Sequence, residues 1–121
     1  MKHRISTWLI VFIGFVLVLS ACNAVKLAIP TQEDANRGSQ LFTGFGLTEL
    51  NQGKALFETK CTVCHGLKDP TSKTPEKWKN LVDEMTKKAN KKAGKVVITA
   101  EEQDLIAKYV LTMHTAVAPK K

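Results

Sequence analysis

The chain has 121 residues, with 18 Lys and Arg against 11 Asp and Glu and a formal charge of +7, which leaves room for one small domain and excludes a multidomain architecture. Three cysteines, an odd number, exclude a framework of several disulfides as the source of its stability. The basic balance does not point to nucleic acid, because aromatics make up only 7% of the chain and no nucleic-acid-binding motif is visible.

Lys2, His3 and Arg4 form a short basic region, and Trp8 to Leu19 is apolar apart from Gly14. A helix over that apolar run spans about 18 Å, short of the ~30 Å hydrocarbon core of a bilayer. The segment therefore reads as a secretory signal rather than a spanning helix. Leu19-Ser20-Ala21-Cys22 resembles the lipobox of bacterial lipoprotein precursors. The resemblance implies that residues 1–21 are a cleaved signal peptide and that Cys22 carries lipid. Acyl chains contribute about 0.8 kcal/mol per buried methylene, so two or three of them hold a protein stably on a membrane. From Cys22 onward 16 basic residues face 11 acidic ones, a charge of +5. An excess of that sign favours acidic partners or anionic lipid heads.

Residues 23–30 read as a short tether ending at Pro30. A first helix is expected from about Gln32 to Phe42, with Thr31 as N-cap and Glu33 and Asp34 in its first turn. The glycines of Thr43-Gly44-Phe45-Gly46 break it. A second helix is expected to start after Thr48 and to continue to about Cys64, with Leu50, Lys54, Phe57 and Cys61 at helical spacing. Asn36 to Phe42 and Asn51 to Phe57 share the form N-x-G-x-x-L-F, which marks either a duplicated helix or two helices with similar packing needs. Thr74-Pro75-Glu76 opens a third helix running through Trp78 to about Lys88. The basic run from Lys87 to Lys95 reads as a loop or frayed end, with Gly94 as a helix stop. Val96 to Ile98 reads as an extended connector. Thr99-Ala100-Glu101-Glu102 matches a capping box, and the last helix runs to about His114 with Leu105, Ile106, Tyr109 and Val110 inward. No strand is expected. The organisation is all-α: a lipidated tether with an extra helix over 22–47, a main domain of three to four helices over 48–116, and a basic tail over 117–121.

Cys61-Thr62-Val63-Cys64-His65 is a C-x-x-C-H pattern. On a helix these positions share a face, so a planar macrocycle could receive two thioether bonds while the histidine offers a ring nitrogen to its iron. A zinc site would need four ligands, and only His114 remains in the mature chain. A thioredoxin-like dithiol would sit near a βαβ pattern, which is absent. Export agrees with covalent haem, since c-type haem is attached outside the cytoplasm.

With "GKALFETKCTVCHG", a downstream Met and "IAKYV" on the last helix, residues 48–115 resemble the small class I cytochromes c. The resemblance implies one covalent haem c on Cys61 and Cys64, with His65 as an iron ligand. Gly53, Phe57 and Tyr109 match positions that pack the first and last helices of that family together. Met85 is the expected sixth ligand, because the family's ligand precedes the last helix. Met113, His114 or an open iron are the alternatives. The run Trp78, Val82, Met85 resembles a subgroup of small haem domains, some of them attached to dehydrogenases. Pro70 is the candidate acceptor for the axial histidine's other N–H, and Trp78 is either a propionate donor or a core residue.

The expected function is a membrane-tethered, single-haem electron carrier between extracytoplasmic partners with acidic docking surfaces, such as a dehydrogenase or oxidase. The location expected is a bacterial membrane, on the periplasmic face or the cell surface. Eleven lysines between Lys54 and Lys95 supply a basic surface around the motif. The alternatives are a haem subunit of a dehydrogenase complex and a ligand-binding or sensor haem protein. An enzyme in its own right is not expected, since no acid–base pair stands beside the motif.

Overall fold

The computed structural model describes residues 25–116. Four α-helices follow one another: α1 over Gln32–Leu41, α2 over Leu47–Lys60, α3 over Pro75–Ala93 and α4 over Ala100–Thr115. A 3₁₀ turn, Pro70–Ser72, precedes α3. Among the described residues there is no strand, so the fold is all-α. The signal segment, Cys22 and the tail over 117–121 lie outside the described residues.

Three of the helices begin where a threonine satisfies N–H groups that have no partner within the helix. At α1 the Thr31 hydroxyl accepts from the Asp34 N–H at 3.2 Å, and the Asp34 carboxylate accepts from the Thr31 N–H at 2.8 Å. Thr74 caps α3 ahead of Pro75, whose missing N–H costs nothing at that position. Thr99 and Glu102 form the reciprocal box that opens α4. The start of α2 differs. Gly46 has no side chain to cap with, and Glu49 reaches back to the Gly46 N–H at 2.9 Å. The helix therefore begins at Leu47, ahead of the expected start after Thr48.

α3 runs to Ala93 rather than stopping near Lys88. The basic run stays helical because Asp83 pairs with Lys87 at 2.7 Å and Glu84 with Lys88 at 2.5 Å, each one turn apart. Lys91 and Lys92 then face the negative end of the helix dipole. Gly94, at φ 65°, closes the helix in the left-handed region that glycine adopts without strain.

α4 is the hub. α1, α2, α3 and the 3₁₀ turn all pack on it, and α1 also touches α2, but the backbones of α2 and α3 stay apart. Leu50, Phe57, Trp78, Ile106, Tyr109 and Val110 are at most 3% exposed. Leu105 is only half-buried, while Leu111, Thr112 and Met113 are buried. A helix covered on several sides needs a wider inward face than an amphipathic stripe provides.

The N-x-G-x-x-L-F echo has a packing basis. A Cβ at Gly53 would lie 2.5 Å from the Leu105 carbonyl oxygen and 2.7 Å from the Tyr109 Cβ. One at Gly38 would meet the Phe45 ring at 2.9 Å and the Thr112 hydroxyl at 3.2 Å. Each glycine therefore lets its helix approach α4. Phe57, four residues after Gly53, lies 5.7 Å from the Tyr109 ring and edge-on to Trp78 at 5.8 Å. Phe42, four after Gly38, is half-buried, with the Lys108 ammonium 5.8 Å from its ring centre. Upstream of α1, Leu27 and Pro30 are buried. Residues 27–30 are thus docked on the domain, where a free tether was expected.

Candidate functional site

Because α2 and α3 both lean on α4 with their backbones apart, a cleft opens between them. It holds about 890 Å³ of empty space, part of it open solvent. Phe57 and Cys61 line it from the end of α2, and Cys64, His65 and Leu67 from the following loop. Trp78, Leu81, Val82, Met85, Thr86 and Ala89 line it from α3, with Ile98 and Ile106 at its back. Lys60, Lys68, Lys88 and Lys92 are the lysines of the lining. The other seven of the eleven lysines do not line it.

The C-x-x-C-H pattern does not lie on a helix, as the sequence reading had it. α2 ends at Lys60, Cys61 is its C-cap, and residues 62–65 turn away. Thr62 and Val63 are β-branched, which lowers helix propensity, and the Thr62 hydroxyl donates to the Glu58 carbonyl at 2.7 Å. The turn still brings Cys61, Cys64 and His65 to one cleft. Burial pushes the Cys61 thiol up to about 11. A redox dithiol needs the opposite shift, toward a ready thiolate, so the pair is poorly suited to disulfide exchange. Among the described residues, no three His, Cys, Asp or Glu side chains gather to hold a metal by themselves.

His65 Nδ1 lies 2.9 Å from the Gly66 carbonyl oxygen. A carbonyl only accepts, so Nδ1 carries the proton and Nε2 keeps the lone pair a metal needs. Pro70, the expected acceptor for this N–H, has another role. Its carbonyl accepts from the Trp78 indole at 2.6 Å and lies 3.3 Å from His114 Nδ1. Trp78 is 2% exposed, so its indole N–H is spent inside the core rather than on a propionate.

Of the three side chains considered for the sixth ligand, Met85 alone lines the cleft. Met113 is buried in the core cluster, and His114 stands beside Pro70. Two groups shape the cleft that the sequence reading missed. Thr86 is a buried hydroxyl in the lining. Asn90, on α3, accepts from the N–H groups of Val97 and Ile98 at 2.8 and 2.9 Å and donates to the Ile98 carbonyl at 2.9 Å. From the other side, Lys60 donates to the Val97 carbonyl at 2.7 Å and faces Glu102 at 3.3 Å. Ile98 is thereby held against the cleft. An Asn seven residues before a β-branched pair gives no periodic signal, which is why the pattern did not reveal it.

An apolar slot between two helices, with paired thiols and an imidazole at one border and a thioether on the facing helix, has the groups that would hold a porphyrin covalently. The fold and site thus define a helical haem-binding domain of the electron-transfer kind. Residues 50–105 match the family model described as Cytochrome c, which supports a small single-haem class I cytochrome c domain in that stretch. No curated protein and no solved structure matches the chain. The family binds haem c covalently and transfers electrons by means of it, generally as a carrier rather than an enzyme.

Proposed function

We propose that this chain is a lipid-anchored carrier of single electrons between extracytoplasmic redox proteins, held to a bacterial membrane through Cys22. In this reading Cys61 and Cys64 would hold haem c through thioethers, and His65 Nε2 and the Met85 sulfur would ligate its iron. Bound in the cleft, haem c supplies a one-electron ferric–ferrous couple. The protein's own groups set the conditions. The Gly66 carbonyl orients the His65 ring. A thioether such as Met85 favours the ferrous state and raises the potential. Phe57, Leu81, Val82 and Ile106 keep water from the pocket. The lysines in the lining attract an acidic partner and act on encounter rate more than on affinity, so transfer should slow as salt rises.

The observation that carries the reading is the presence of Met85 and the Cys61–His65 turn in one apolar cleft, with Met113 elsewhere. Near-infrared absorption of the ferric holoprotein tests it. The weak sulfur-to-iron band should be present, should vanish in Met85→Ala, and should persist in Met113→Ala. Rapid carbon monoxide binding by the ferrous wild-type protein would instead show an open site.

A further inference from the structure

The charge of the described chain is unevenly divided. Between Lys73 and Lys95 stand eight lysines and three acids, whereas the other described residues carry six basic and eight acidic side chains. The basic segment is α3 and its flanks. α1 packs on α4 and α2 but makes no contact with α3, and no residue of 25–46 lines the cleft. The N-terminal arm and the haem cleft therefore occupy different sides of α4.

The arm is also fixed in place. Leu27 is 6% exposed and Pro30 is buried, so the chain is docked from Leu27 onward. Between Cys22 and Leu27 the backbone can span at most about 18 Å. A domain of this size is about 30 Å across.

We infer that the docked arm sets the orientation of the domain on the membrane, with α1 toward the lipid and α3 and the cleft toward the aqueous phase. This rests on Cys22 carrying lipid. The four residues between Cys22 and Leu27 are too few to pass around the domain and lay the basic face on the bilayer. The attraction of α3 for anionic lipid heads does not overcome that limit, since it decays over a Debye length of about 8–10 Å. On the lipid side stand Lys26 and the exposed Val25 and Ile29. The cleft then takes its electrons from proteins that approach through water and carry acidic surfaces. A carrier dissolved in the bilayer does not reach it.

The test uses full-length holoprotein extracted from membranes, with a nitroxide at Glu33→Cys on α1 or at Lys95→Cys beyond α3. Mass spectrometry of the N-terminal peptide first establishes the adduct on Cys22. In vesicles bearing a nickel-chelating headgroup lipid, the label at 33 should relax strongly and the label at 95 hardly at all. Leu27→Ser, which undocks the arm, should erase the contrast. The reverse ranking, equal relaxation at both sites, or a contrast unaffected by Leu27→Ser overturns the inference while leaving the lipid reading intact. An N-terminal peptide without the adduct overturns both.

Discussion

The two glycine helices rest on the same partner but are limited by different atoms. At Gly53 the nearest obstacle to a side chain is backbone, the Leu105 carbonyl, with the Tyr109 Cβ just behind it. At Gly38 the obstacles are side chains, the buried Phe45 ring and the Thr112 hydroxyl. The α2–α4 crossing is thus limited by backbone and the α1–α4 crossing by side chains alone. The backbone-limited crossing is the one beside the cleft, in keeping with the precision that binding sites need.

Gly53→Ala should have the largest effect. The added methyl forces α2 away from α4, and overpacking of this kind costs roughly 1–3 kcal/mol or more. The helix-propensity gain of about 0.5–1 kcal/mol offsets only part of that. We expect a loss of about 2 kcal/mol or more, with poor haem incorporation. Guanidinium unfolding of whatever holoprotein forms measures it, and a variant as stable as wild type would show that the crossing spreads freely. Asn90→Ala comes next. It strands three backbone groups of Val97 and Ile98, for about 1–3 kcal/mol, and loosens Ile98 at the back of the cleft. A shifted reduction potential should accompany the stability loss, and Asn90→Asp, which keeps the acceptor, should restore part of both.

These same residues show where the sequence was informative. Helix starts at Thr31, Thr74 and Thr99 were legible because a cap is a local arrangement of three or four neighbours. The glycine–aromatic contact of Gly53, Phe57 and Tyr109 was legible from family likeness. The end of α2 was not, since periodicity extended Leu50, Lys54 and Phe57 to Cys61 and could not register where the helix stops at Lys60. The length of α3 was misjudged because a run of lysines suggests repulsion, while Asp83 and Glu84 one turn earlier neutralise part of it. The burial of Leu27 was hidden for another reason. A lone Leu in an extended stretch has no period, and its partners lie far along the chain.

Gly38→Ala sharpens the comparison from the other side. Its methyl meets only side chains, and the gain of about 0.5–1 kcal/mol in helix propensity nearly balances the crowding. The net change should stay within about 1 kcal/mol of wild type, with the optical spectrum unaltered. A loss matching that of Gly53→Ala would make the two crossings equivalent and remove the distinction drawn above.

The smallest effect is expected at Asp34, the buried acid that ties the start of α1. Burial raises its carboxyl, but the Thr31 N–H and hydroxyl and the Arg37 guanidinium together outweigh that and hold it below the usual value. A carboxylate depressed on folding stabilises the native state above its unfolded pKa of about 3.9. That contribution disappears as pH falls through the lower folded value. Asp34→Asn should therefore cost about 0.5–1 kcal/mol at neutral pH, a typical capping loss, and the wild-type and variant midpoints should converge as pH falls through the lowered folded value. Denaturant midpoints across pH read this directly. A gap that persists in acid would mean that shape, not charge, holds the arm. The sulfur-to-iron band should not change at neutral pH, because Asp34 stands on α1, no residue of which lines the cleft.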